Sequence, residues 1–157
     1  MKFDFLFLDT SHYSPGEIIN MIEVLPFLNE KAIIVVHDLL WHFGKDPIQR
    51  VYPSNVNLIP AIYGEKIIYE DYDVISNIVG IFLYPNQEKH YLDYFLLLLT
   101  FWNYMPNDNQ INDLRDFIKN YYNKDIYLKI FNIAVEKNKY FINKYKEYLN
   151  NTLINKK

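Results

Sequence analysis

The chain has no cysteine and only four glycines, at positions 16, 44, 64 and 80. The first absence rules out disulfides, thiolate zinc centres and cysteine nucleophiles, and it fits a reducing, cytoplasmic setting. The second leaves no GxGxxG, GxxxxGK[ST] or GxSxG arrangement, so the chain carries no phosphate-cradling loop and no nucleophile elbow of its own. No apolar run reaches the roughly 20 residues that span a bilayer. The longest, Leu92 to Trp102, contains Asp93 and reads as a buried helix. Positive charge is not in excess: 16 Lys and Arg against 19 Asp and Glu give a formal charge of -3, which offers a nucleic-acid backbone no basic footprint. Met1 to Leu8 also lacks the basic start, long apolar stretch and cleavage site of a secretory leader. The expectation is a chain with no nucleic-acid partner and no membrane span, working in the cytoplasm.

Half of the 157 residues are hydrophobic and 18% are aromatic, a composition that demands a packed core. A chain of this length buries roughly 70% of its unfolded surface as one unit. The abundant Ile, Asn, Lys and Tyr resemble the product of an AT-rich coding bias, so tyrosines and asparagines are weak guides to function.

Phe3 to Leu8 is a short, nearly continuous apolar run, the pattern of a parallel strand covered on both faces. After "DTSHYS", Ser14, Pro15 and Glu17 predict a capping box with proline in the first helical position. Ile18, Ile22 and Leu25 follow at helical spacing up to a boundary at Pro26. "LNEK" is polar, and "AIIVVHD" is a second β-branched strand. Strand, helix, strand makes a right-handed βαβ unit, so the two strands are parallel neighbours. Loops and one or two short helices are predicted around Pro47, Pro53 and Pro60. "EKIIYE" and "NIVGIFLYP" read as two further strands. Beyond Glu88 the period becomes helical: Tyr91 to Met105, Ile111 to Tyr122, and one or two helices over Asp125 to Leu149, with a frayed tail "NNTLINKK". The whole predicts an α/β fold of about four strands, a parallel pair then a reversed pair, over residues 1–88, and a helical extension packed on it over 89–157.

Asp9, His12, His37 and Asp38 form the one constellation with chemical potential. Neighbouring parallel strands bring their carboxyl ends together, which is where open α/β sheets bind ligands. Carboxylates and imidazoles gathered there can hold a hard divalent cation such as magnesium, act as a general base, or hold hydroxyl groups of a ligand. The plainer alternative stays open: Asp9 capping the following turn, and His37-Asp38 a satisfied buried pair. Trp41 and His42 lie in the loop that would overhang this edge. His90, near a helix start, receives no role, and the lysines at 137, 139, 144 and 146, mixed with Glu136 and Glu147, read as a solvated face.

The run "FDFLFLDTSHYSPGEIINMIEVLPFLNEKAIIVVHDLLWH" resembles the fourth strand, following helix and fifth strand of class I S-adenosylmethionine-dependent methyltransferases, most of all the small-molecule and sugar O-methyltransferase branch. Asp9, His12, Tyr13, Glu23, Leu25, Pro26, Leu28, His37 and Asp38 fall on that branch's pattern, over about a quarter of the chain. Thr10 and Asn29-Glu30-Lys31 depart from it. The resemblance implies a partial Rossmann-like sheet and a methyl transfer from S-adenosylmethionine to a small, sugar-like acceptor. It places Asp9, His37 and Asp38 where metal-dependent relatives hold their ion, and His12 with Asp9 beside the transferred methyl group as base or acceptor contact. In such enzymes the cofactor is held mainly by earlier strands and a glycine-rich turn, which this sequence does not contain; which residues here would touch a cofactor is undetermined. The expectation is therefore a C-terminal half of a split or truncated methyltransferase, or a remnant of one, inactive alone, with residues 1–88 as that half-domain. An isolated half would expose an apolar sheet edge and face, calling for a homo-oligomer or a separate N-terminal half as partner. The competing expectation is a non-catalytic interaction module.

Overall fold

A computed structural model of the chain describes residues 1–10, 13–37, 54–71 and 74–154. Strand β1 (Phe3–Leu8) leads to helix α1 (Gly16–Val24), a 3-10 turn over Leu25–Phe27 and strand β2 (Leu28–Val36). Helix α2 (Ser54–Ala61), strands β3 (Gly64–Asp71) and β4 (Val74–Leu83), and helices α3 (Tyr91–Leu97), α4 (Asp108–Tyr121) and α5 (Asp125–Ile154) complete the described chain. The four strands form one mixed sheet in the order β1-β2-β4-β3. β1 and β2 are parallel, whereas β4 runs antiparallel to both β2 and β3. The α/β class and the parallel opening pair are as expected; of the two later strands only β4 is reversed, β3 running in the direction of β1 and β2.

Local chemistry explains most element boundaries. Ile18, Ile22 and Leu25 are all buried, and Pro26 sits in the 3-10 turn that ends α1's run; Leu25 before it keeps helical backbone, and Pro26 has no N–H with which to continue the α-helical ladder. α4 begins with a reciprocal capping box: Asn107 Oδ1 accepts from the Gln110 amide at 3.0 Å, and Gln110 Oε1 accepts from the Asn107 amide at 2.9 Å.

Five expectations are corrected. The Ser14–Glu17 capping box does not form: α1 has no side-chain cap. Ser14 is instead claimed by Asn103, which accepts from its amide at 3.0 Å and donates its own amide to its carbonyl at 2.8 Å. β2 starts at Leu28, taking in "LNEK", with an irregular register between Phe3 and Phe5 and an Asn29 amide bonded to Asp4 Oδ1. The helix predicted over Tyr91 to Met105 closes at Leu97 into i→i−3 turns. There the Trp102 indole N–H bonds back to the Leu98 carbonyl and its main-chain N–H to Asn138 Oδ1, turning the chain into the core. The predicted frayed tail is helical as far as Ile154.

The fifth correction concerns layers. The buried side chains of every helix join Leu8, Ile34, Val36, Val79, Ile81 and Leu83 in a single core. In the register these strand residues share one face: Leu6, Ile34, Ile81 and Lys66 make one row and Leu8, Val36, Val79 and Ile68 the next. The alternate rows, Phe5, Ile33, Phe82, Glu65 and Phe7, Val35, Gly80, Ile67, occupy the opposite face. Phe3, Phe5 and Phe7 are exposed, so β1 is covered on one face and not on both.

Candidate functional site

The parallel pairing of β1 and β2 runs to its carboxyl end, where Leu8 lies opposite Val36 and the His37 amide donates to the Leu8 carbonyl at 3.1 Å. That last bond fixes what comes next. Asp9 and His37 leave the two strands side by side, and His37 Nδ1 stands 3.7 Å from Asp9 Oδ2. Both are partly exposed, at 32% and 44% of their side chains, so a solute can reach them. The His37 ring also lies 6.1 Å from that of Phe7, which places it on the side of the sheet opposite the core. Thr10, next to Asp9, is tied to α1 by the Asn20 amide at 2.8 Å, anchoring the turn that carries the carboxylate. The pair can accept hydrogen bonds from a hydroxyl-bearing ligand through Asp9 and exchange a proton with it through His37.

His12 and Asp38, the other two members of the constellation, lie outside the described residues, as do Trp41 and His42. Among the described residues no group of three His, Cys, Asp or Glu side chains could hold a metal ion. Asp9 and His37 supply two donors, and a magnesium ion demands near-octahedral oxygen coordination, so the described residues do not fit that ion. They do not fit S-adenosylmethionine either. Gly16 opens α1 and Gly80 sits within β4, while a Cβ on Gly64 would stand 2.6 Å from the Phe82 carbonyl oxygen. Gly64 is therefore spent on strand packing, not on a close approach to a ligand.

A second group of polar side chains, which sequence reasoning left without a role, sits at the opposite end of the sheet. A cleft of about 490 Å³ is lined by Tyr63, Lys66, Tyr84, His90 and Asp93 among others. His90 stacks on Tyr63 with ring centroids 3.8 Å apart and pairs with Asp93 at 3.3 Å. Burial lowers the Lys66 ammonium's pKa, and its Nζ is bonded to the carbonyls of Ile62 and Gly64. These contacts read as a packed strand entrance. A second cleft, about 310 Å³, lies between α1 and α4 beside Glu23, Gln110 and Asp113; burial pushes the Glu23 carboxyl above its usual range.

Compared with known proteins, the chain matches no family model, no curated protein and no solved structure. Among the described residues no helix is long and apolar enough to cross a membrane.

Proposed function

We propose that the chain is a methyltransferase-like α/β unit of the kind that serves small or sugar-like acceptors. In this reading it contributes the acceptor side of a site and does not transfer a methyl group by itself. The observation that carries the reading is the meeting of Asp9 and His37 at the carboxyl ends of the parallel pair, where the sequence resemblance puts acceptor-side residues. The reversed pairing of β4 between β2 and β3 supports it, since that family's sheet also ends in a reversed strand pair. Here the Asp9 carboxylate receives an acceptor hydroxyl and His37 orients beside it, the positioning that group transfer chiefly needs.

Calorimetric titration of the folded chain with S-adenosylhomocysteine, with and without magnesium, is expected to show no uptake at micromolar concentrations; uptake would overturn the inactive-alone reading. Amide shift mapping with a panel of monosaccharides is expected to perturb residues 8–10 and 37. Perturbation centred elsewhere, or none, would remove the acceptor-side assignment.

A second reading, from a different class, is a non-catalytic interaction module. The exposed phenylalanine row of β1 is the observation that favours it.

A further inference from the structure

The face of the sheet turned away from the helices has a physical problem to solve. All-parallel sheets are covered on both faces; this mixed sheet is not, with Phe3, Phe5 and Phe7 45%, 58% and 51% exposed, Phe82 41%, Ile67 50% and Ile78 43%. With about 200 Å² for each aromatic side chain, these groups expose roughly 500–600 Å² of apolar surface. That is the top of the range for the largest patch on a typical monomer, about 300–600 Å². With its polar rim the face approaches the ~800 Å² per partner of a stable, specific interface.

We propose that a second copy of this chain covers this face, sheet on sheet, about a two-fold axis running along the strands between β2 and β4. The inference rests on the face itself and is independent of the methyltransferase reading. Three observations choose a second copy over another occupant. In the rows from Phe5 to Glu65 and from Phe7 to Ile67 the only charge is Glu65, at the outer strand, so the middle of the face is uncharged and matches another apolar sheet at the usual ~10 Å spacing.

The face is also self-complementary in shape. Its bulk is concentrated on β1, as the phenylalanine row, and its relief on the far side, where Gly80 lacks a side chain and a Cβ there would meet nothing nearer than the Ile67 carbonyl oxygen at 3.9 Å. A two-fold axis along the strands between β2 and β4 lays β1 of each copy over β3 of the other and β2 over β4, so the aromatic row meets the half of the face that carries the relief and the Gly80 notch lies under β2. Such an interface is isologous and closes at two copies. Finally, area decides between packing faces and joining edges. Pairing β1 to β1 edge to edge would leave Phe82 and Ile67 wet, because β4 and β3 lie about 10 and 14 Å from that edge. Face packing removes all six groups from water. Because the His37 ring lies beside Phe7, each Asp9–His37 pair then sits at the rim of the interface.

Sedimentation equilibrium of the purified chain from about 1 to 100 µM tests this. The expected result is a mass twice the 19.0 kDa of one chain, reduced to a single chain by Phe82→Glu and by Ile67→Lys. Tyr145→Ser, on the exposed side of α5, should leave the dimer intact. Circular dichroism checks that each variant folds; should Phe82→Glu fail to, Ile67→Lys on the outermost strand carries the test. A wild-type monomer throughout the range, with apolar dye bound to the open face, would overturn the proposal and assign the face to a different polypeptide. A dimer that survives Ile67→Lys would overturn it too, moving the contact to the β1 edge or the helices.

Discussion

The two faces of this sheet are built from the same strands, one residue apart, and they meet opposite fates. On one, Ile34, Val36, Val79 and Ile81 lie under helices beside Tyr94, Phe95 and Trp102, all with essentially no exposure. On the other, Phe5, Phe7, Phe82 and Ile67 meet solvent. Composition does not separate the faces, since both are apolar. What separates them is that every helix with described buried side chains contributes to one core, so the pleat alternation sends half of each strand's hydrophobic residues to a side that no described helix seals. An apolar strand residue is therefore a report of what wants cover, and not of what has it.

That difference predicts unequal costs for truncation. Trp102→Ala on the covered side should cost about 3–5 kcal/mol, the usual range for emptying a large aromatic site, read as a lowered urea midpoint. Asn138→Ala should follow at about 2 kcal/mol. The Asn138 amide, fully buried, accepts from the Trp102 amide at 2.9 Å and donates to the carbonyls of Thr100 and Ala134 at 3.2 and 3.0 Å, so truncation strands buried main-chain groups. Ile67→Thr on the open face should change the stability of the single chain by no more than about 0.5 kcal/mol, measured at concentrations where copies are separate. A cost as large as that of Trp102→Ala would show that the open face is packed within the chain and would erase the comparison.

The smallest effect is electrostatic. Burial raises the Glu23 carboxyl above its reference value of 4.5, so the native state keeps this proton to higher pH than the unfolded chain does. Stability contributed here is full at low pH and falls as pH rises through the window from 4.5 to the raised native value. Glu23→Gln removes that fall. It should raise the urea midpoint slightly at about pH 7 and leave it unchanged at about pH 4, where wild-type Glu23 is itself largely protonated. An equal shift at both pH values would trace the effect to packing in the cleft rather than to charge.

Much of the fold was legible in short patterns. The Ile18, Ile22, Leu25 stripe, the stop at Pro26, the four strands apart from the polar start of β2, and the amphipathic run from Ile111 each depend on neighbours within a turn or a pleat, and each lies where its spacing put it. The convergence of Asp9 and His37 was legible too, because a crossover between adjacent parallel strands brings their carboxyl ends to one edge. The capping box at Ser14 was misread because the competing partner, Asn103, is 89 residues away. Asn138, one more asparagine in an asparagine-rich chain, gave no signal that it bonds to three main-chain groups, two of them 36 and 38 residues away.

What the sequence determined alone was the kind of each element, the parallel start of the sheet and the absence of a glycine-rich cofactor loop, since these follow from local sterics and periodicity. Tertiary structure alone decided which face of the sheet the helices cover, which polar groups are held by distant partners and where β4 inserts. Those outcomes depend on contacts between residues tens of positions apart, and no local pattern records which of two equally apolar faces a helix will choose.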